Sequence, residues 1–502
     1  MSGSGFRVLM AVGLLSAEPI SAAPLTYCNP LPLPDYPIGR DARESRLGDS
    51  IEGAPLWRQE HKVPFRELAD PSALYHEGKW YLYPSVDMAW VSDDDGDTWR
   101  HHPLNVRDIG YAPTIVLHAG KFYLLACDEE LYVADAPLGP FAPLGKMQIP
   151  RPEGAPKLGD PMLFSDEGRL YLYWGCSADS GIWGVALDPS NPLQAVGEPK
   201  ELIPFHPGAR PWEMLGEHNQ HPAHGWLEGA WMLKHGSRYY LTYAAAGTAN
   251  RTYAMGCYVG ESPLGPFRPQ KNNPILRTTE GLITGTAHGS VVAGANGVLR
   301  VFYTIRAGAV HSFERRVGMD TAFIDDESEL RVKDARATSS PRWLPGREPE
   351  GANPDGPGWI ALNAGSAAFG SSFAPGQPGV LATDDEIRSW WQPAADDTAA
   401  VLTSRLAAPG EIRAVRIVWR DIGLDPLRGV SAGAFRYRVE AETAKDTWTV
   451  LLDRSANGED LLIDYREVPA TKATRVRLVL LGAPKGITPG VADFSVFGMW
   501  KH

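Results

Sequence analysis

The stretch Asp70-Pro-Ser-Ala-Leu-Tyr-His-Glu-Gly-Lys-Trp-Tyr-Leu-Tyr83 decides the fold, because the chain repeats it. It holds two short apolar runs joined by a Gly-bearing turn, the mark of a β-hairpin. The same design recurs at Ala112-Pro-Thr-Ile-Val-Leu-His-Ala-Gly-Lys-Phe-Tyr-Leu-Leu125 and at Asp160-Pro-Met-Leu-Phe-Ser-Asp-Glu-Gly-Arg-Leu-Tyr-Leu-Tyr173. A fourth copy starts at Glu228-Gly-Ala-Trp-Met-Leu233 and passes Gly236 into Tyr239-Tyr-Leu-Thr-Tyr243. A fifth starts at His288-Gly-Ser-Val-Val292 and turns at Asn296-Gly297 into Val301-Phe-Tyr303. A third strand follows each hairpin, and twice it ends in one phrase, Pro137-Leu-Gly-Pro-Phe141 and Pro263-Leu-Gly-Pro-Phe267. Three to four strands in every ~40–50 residues is the spacing of propeller blades. Helical periodicity is nearly absent between residues 60 and 325. The five copies therefore predict a five-bladed β-propeller, ahead of an ordinary sandwich.

At 502 residues, 43% hydrophobic and 22% charged, the chain has the make-up of a soluble globular protein with more than one domain. A net charge of -12, with no basic cluster, excludes nucleic acid as a partner and suits a neutral substrate. The 16 Trp and 18 Tyr serve sugar-stacking surfaces and packed cores alike. The first 23 residues read as a signal peptide: Arg7, an apolar run from Val8 to Leu15, then Ser21-Ala22-Ala23 at a small-residue cleavage site. The protein is accordingly expected to be secreted or periplasmic. No later apolar run approaches the ~20 residues of a membrane span, so no membrane partner is expected. Cys28, Cys127, Cys176 and Cys257 lack metal-site spacing, and their spacing fixes no disulfide. Cys127 and Cys176 close apolar runs and read as buried thiols.

The first positions of the five hairpins are Asp70, Ala112, Asp160, Glu228 and His288. The innermost strands of a propeller line its channel, so equivalent positions converge on the axis. One acid alone is read as easily as a strand start. Three in register with a histidine point to a site. Converging carboxylates suit glycoside hydrolysis, in which one carboxylic acid protonates the leaving oxygen and a carboxylate activates water or attacks. A third carboxylate raises the pKa of the acid beside it. Trp90, after the first hairpin, is placed either to stack on a sugar or to pack within its blade. The insert carrying Trp212, His218, His221, His224 and Trp226 is a candidate subsite wall; its histidine spacing matches no metal motif.

The set Ala69-Asp70-Pro71-Ser72, Tyr111-Ala112-Pro113, Gly159-Asp160-Pro161, Leu227-Glu228-Gly229 and Ala287-His288-Gly289 resembles glycoside hydrolase family 43 across residues 60 to 325. The resemblance implies a five-bladed propeller and inversion of configuration. It makes Asp70 the general base, Glu228 the general acid and Asp160 the residue that tunes and orients Glu228. His288 matches a histidine that in the family often ligates a channel cation, commonly calcium; a plain hydrogen-bonding role is the alternative. Arg315 resembles a substrate-contacting arginine, with Arg316 as a neighbouring alternative. No cofactor is required for the chemistry, and a structural calcium ion is the one metal implied. The implied substrate is an oligo- or polysaccharide. The expected activity is that of an exo-acting α-L-arabinofuranosidase or β-D-xylosidase on plant polysaccharide such as xylan. A galactan- or galactofuranose-cleaving enzyme is the alternative within the class. A non-catalytic carbohydrate-binding propeller is the alternative outside it, and retention of all three carboxylates argues against that. Oligomeric state is not legible.

Residues 326–356 read as a linker, rich in Pro, Gly and charge. The runs Ile412 to Trp419, Phe435-Arg-Tyr-Arg-Val439, Trp448-Thr-Val-Leu-Leu452, Arg475-Val-Arg-Leu-Val-Leu480 and Phe494-Ser-Val-Phe-Gly498 resemble the discoidin, or factor 5/8 C-type, jelly roll. Such a domain either binds sugar or buttresses the propeller. The expected layout is all-β: a signal peptide over 1–23, a propeller over 24–325, the linker, and a β-sandwich over 357–502.

Overall fold

In a computed structural model, described over residues 25–36 and 65–500 apart from 86, 223, 310, 426 and 427, the hairpins form as their turns dictate. Glu77-Gly78 (φ 49° and 78°), Ala119-Gly120 (48° and 77°) and Glu167-Gly168 (46° and 76°) each place two residues at positive φ. This is the pattern of a type I′ turn, whose twist matches the strands it joins. The segment read as a signal peptide lies outside the described residues.

Each hairpin extends into a four-stranded antiparallel meander. Blade I is Ser72–His76, Lys79–Tyr83, Met88–Ser92 and Arg100–Pro103. Blade II is Thr114–His118, Lys121–Leu125, Glu130–Ala134 and Ala142–Lys146. Blade III is Met162–Asp166, Arg169–Trp174, Ile182–Asp188 and Asn191–Ile203. Blade IV is Trp226–His235, Arg238–Ala245, Ala254–Gly260 and Phe267–Pro269. Blade V is Thr284–Ala293, Leu299–Arg306, Arg315–Ile324 and Leu330–Val332. The protein is all-β, with a five-bladed propeller as its first domain.

Two tiers of short side chains tie the blades together. In the inner tier, the hydroxyls of Ser72, Thr114 and Ser290 accept the backbone N–H of Ile115, Leu163 and Ala73 in the next blade, at 3.4, 3.2 and 3.0 Å. In the second tier, Ser85 Oγ, Cys127 Sγ and Thr304 Oγ1 accept the N–H of Ala112, Asp160 and Asp70, at 3.0, 3.3 and 2.8 Å. Ser290 and Thr304 belong to blade V and their partners to blade I, so the same bonds close the ring. The repeated Pro-Leu-Gly-Pro-Phe phrase also bridges blades: Tyr83 donates to Pro137 O at 2.5 Å and Tyr173 to Pro263 O at 2.8 Å.

The fifth blade runs past residue 325. Leu330–Val332 pairs with Ala322–Ile324 inside the segment read as linker, and Arg342–Trp343 pairs with Thr26–Tyr27. Both strands are too short to leave an apolar run in the sequence.

The C-terminal domain is one seven-stranded sheet dominated by long strands, Val401–Ile422, Ile463–Gly482 and Thr488–Trp500. Register shifts between Arg405 and Gly410 let the sheet bend over a single core that includes Trp391, Trp419, Phe435, Tyr437 and Phe494. This domain packs directly on the propeller. Ile387, Val418, Ile463 and Ala492 join the blade V core. The buried Arg416 bonds Asp493 at 2.8 Å, Asn29 O at 2.9 Å and Ser339 O at 2.6 Å. Among the described residues no helix is long and apolar enough to cross a membrane.

Candidate active site

At the channel mouth each blade contributes one residue in the left-handed region: Asp70 (φ 52°), Ala112 (48°), Asp160 (47°), Gly229 (61°) and His288 (43°). Such a conformation costs a non-Gly residue ~1–3 kcal/mol. Ala112, which has no chemistry to offer, adopts it too. The bend therefore belongs to the blade, and the site exploits it to aim side chains at the axis.

Blade IV corrects the sequence alignment by one residue: Gly229, not Glu228, occupies the shared position. In blade I His76 pairs with Lys79 and Gly78 is the second turn residue, whereas in blade IV His235 pairs with Arg238 and Gly236 is the first. Counting back from the glycine thus lands one residue early. A Cβ on Gly229 would sit 2.5 Å from His288 Cγ, so the position requires glycine. Glu228 precedes the bend, and its longer side chain still reaches the cluster: its carboxylate, that of Asp160 and the Cys176 thiol bring ligand atoms within 4.8 Å of one another.

The three carboxylates have different surroundings. Asp70 takes both prongs of Arg315, each at 3.0 Å, with Ser85 Oγ at 2.7 Å, Thr304 Oγ1 at 3.2 Å and His288 Nδ1 at 3.2 Å. Burial alone would raise its pKa, but Arg315, His288 and the two hydroxyls outweigh burial and hold the carboxyl below the usual Asp range. Asp160 has only His288 Nδ1, at 3.7 Å, and the Cys127 thiol, at 3.6 Å. Burial pushes Asp160 up to about 7, and the Glu228 and Asp70 charges reinforce the rise against His288. Glu228 is fixed by Trp226 Nε1 at 2.7 Å on one oxygen and the Tyr253 hydroxyl at 2.5 Å on the other, with Cys176 Sγ at 3.5 Å.

Two residues differ from expectation. Trp90 is fully buried in the third strand of blade I, its Nε1 bonded to Pro34 O at 2.8 Å, so it packs the blade and cannot stack on a sugar. Arg315 is 2% exposed and turns its guanidinium onto Asp70 and the buried Glu67, so it clamps the carboxylate rather than facing an open site. Arg316 turns away, to Arg66 O and Asp35. An aromatic cluster lies on the other side of Arg315. Phe313 lies 5.0 Å from the Arg315 guanidinium and packs against Tyr111 and His311, and His311 stacks on Phe65 at 4.7 Å. Within the insert, Trp226 reaches the site, while His224 bonds Asp179 at 3.0 Å.

Ser85, Thr304, Glu67, Tyr253 and Trp226 as a Glu228 donor were not singled out from sequence as functional. Aligning the second strands of the hairpins, and not only the first, places Ser85, Cys127 and Thr304 at one repeat position. A cleft of about 920 Å³ runs between the two domains beside Trp99, Arg100 and Arg466 and contains none of the three carboxylates.

Neighbouring buried carboxylates whose environments push their pKa values apart are the arrangement that acid–base hydrolysis uses. Residues 87–327 match the model of Glycosyl hydrolases family 43, and the chain carries a domain of that family. Asp70 lies just ahead of the matched segment. A "Beta-xylosidase" of Xylanibacter ruminicola is 28% identical over 302 residues, 47% of this chain and 86% of the relative. A "Xylosidase/arabinosidase" of Bacteroides ovatus is 26% identical over 274 residues, 41% of this chain and 78% of the relative. A "Beta-D-galactofuranosidase xynD" of Aspergillus niger is 25% identical over 261 residues, 44% of this chain and 69% of the relative. Among solved structures, a thermostable family-43 glycoside hydrolase aligns with a TM-score of 0.44 at 25% identity, over 53% of this chain and 93% of that one.

Proposed function

We propose that this protein is an inverting, exo-acting glycoside hydrolase that releases arabinofuranose or xylose from plant polysaccharide. The observation that carries the reading is the contrast between Asp70, paired through both oxygens with Arg315 and held below the usual Asp range, and Asp160, which lacks such a partner and which burial raises above it. Asp70 is suited to take a proton from the attacking water. Glu228, oriented by Trp226 and Tyr253, is suited to protonate the leaving oxygen, with the Asp160 carboxyl within 4.8 Å to disfavour its ionisation. Phe313 and Tyr111 supply an apolar face for the sugar ring. The names of the xylosidase and arabinosidase relatives support the choice of pentose.

A screen of nitrophenyl arabinofuranoside, xyloside and galactofuranoside tests the class. Hydrolysis of either pentoside supports the reading, cleavage of the galactofuranoside alone moves it to the alternative sugar, and no hydrolysis overturns it. Proton NMR of the first-formed product is expected to give the inverted anomer; a retained anomer overturns the mechanism.

Arg315→Lys keeps a charge but loses the two-pronged clamp. The Asp70 pKa then rises, so the acidic limb of the kcat/KM profile is expected to move to higher pH. An unmoved limb means that Asp70 does not govern it.

The residues around His288 do not fit the calcium ion expected there. The adjoining cavity, lined by Asp70, Ser72, Thr114, Asp160, Trp231 and His288, is about 20 Å³. The Asp70 carboxylate is already committed to Arg315 and Ser85, whereas calcium takes six to eight oxygen ligands. His288 is better suited to bridge Asp70 and Asp160. The reading also includes export, supported by residues 1–23, and a discoidin-type C-terminal module serving as a buttress. Arg66 bonds Asp421 at 3.0 Å and Asp460 at 2.5 Å next to Glu67, the partner of Arg315. Arg420 bonds Ala307 O at 2.8 Å and Glu314 at 3.2 Å, bracketing the loop that carries Phe313.

A further inference from the structure

Two thiols flank the acid side of the site, and the acid–base chemistry uses neither. Cys176 Sγ, an Asp160 oxygen and a Glu228 oxygen lie within 4.8 Å of one another. From the adjacent blade, Cys127 Sγ lies 3.6 Å from Asp160 Oδ1. All four residues sit where blade strands begin or end at the channel mouth, so the donors are positioned by the sheet framework.

The donor set mixes soft sulfur with carboxylate oxygen. Calcium and magnesium take oxygen shells and match it poorly. A borderline-soft ion that accepts thiolate and carboxylate together in a tetrahedron matches it well, and that description is zinc, with cadmium as a close substitute. Zinc bonds of ~2.0–2.3 Å place neighbouring donors ~3.5 Å apart. The Asp160, Cys176 and Glu228 donors, all within 4.8 Å of one another, need to close by about an ångström, within the reach of side-chain adjustment. The local charge also favours a cation: three carboxylates converge, and Arg315 is committed to Asp70 and Glu67.

We infer that Asp160, Cys176 and Glu228, with a solvent molecule completing the tetrahedron, form a binding site for a divalent cation of the zinc class, and that its occupancy blocks turnover by engaging two of the three carboxylates. Binding releases the Cys176 thiol proton, and any proton on Asp160, to solvent as the metal–ligand bonds form. The binding half stands on geometry alone; the blocking half rests on the glycosidase reading above.

The test uses the full chain in chelator-free buffer. Titration calorimetry with zinc chloride is expected to show one ion per chain, and cadmium chloride to produce the ultraviolet thiolate charge-transfer band. Cys176→Ser is expected to weaken zinc binding at least tenfold and to diminish the band. Glu228→Gln, which retains both thiols, is expected to weaken zinc binding while the cadmium band persists, and it carries the test should the serine variant fail to fold. Absence of a cadmium band, or zinc binding unchanged in both variants as for an ion held by the surface His218, His221 and His224, overturns the site. Zinc bound at the cluster without inhibition of a glycoside that the wild type hydrolyses overturns the blocking half. If no glycoside is hydrolysed, the functional reading fails while the calorimetry still decides the site.

Discussion

Asp70→Asn is expected to lower kcat by ~10²–10⁴-fold, the contribution of one positioned acid or base, and to do so equally for every aryl glycoside that the enzyme accepts. In the proposed mechanism the loss does not depend on the leaving group, because there Asp70 acts on water and not on the departing oxygen. Glu228→Gln is expected to behave differently. Its loss should be large for an alkyl or sugar leaving group and should shrink as the phenol becomes more acidic, since a good leaving group needs little protonation. Steady-state rates across a series of substituted phenyl glycosides measure both. Parallel slopes for the two variants would mean that the acid and base have been assigned to the wrong carboxylates. Circular dichroism controls for folding, since asparagine at position 70 preserves the shape between Arg315, Ser85 and Thr304.

The second large effect falls on stability. Arg416 is 2% exposed and the carboxylate it pairs with, Asp493, is 3% exposed. Removing one partner of a buried pair strands the other charge, at a cost of ~3–5 kcal/mol. Arg416→Met is therefore expected to lower the unfolding free energy by about that amount in urea titration. The double variant Arg416→Met/Asp493→Leu should recover a good part of it, because two apolar groups leave no charge behind. Arg416 also binds carbonyls of Asn29 and Ser339, on segments that border the propeller, so the single variant should loosen the seam between the domains first.

How far the sequence foretells this molecule depends on what each feature leaves in the chain. Hairpins were legible because their turns need glycine at positive φ, and that glycine recurs at Gly78, Gly120 and Gly168. The same signal misled in blade IV, where the turn glycine occupies the other turn position and shifts the count by one. Outer strands of three residues, Phe267–Pro269 and Leu330–Val332, leave no periodicity to read. Asp70 and Asp160 are legible through the repeat and Glu228 to within one residue, but the clamp on Asp70 is not, because Arg315 and Asp70 are 245 residues apart in the chain. An aromatic such as Trp90 carries no mark separating a sugar platform from a blade core; only its depth decides. Cys127 and Cys176 read in the sequence as buried thiols, yet both are only part-buried in the structure, because the runs they close end at the channel mouth, and sequence has no way to say what such a thiol faces.

The left-handed bend shared by Asp70, Ala112, Asp160, Gly229 and His288 separates form from reactivity. The same positive φ recurs in all five blades, while the groups mounted on it are a carboxylate, a methyl, a second carboxylate, a bare hydrogen and an imidazole. Chemistry can thus be rewritten one blade at a time without disturbing the ring. Blade II, where the bend carries only a methyl, is a mounting point on which nothing has yet been placed.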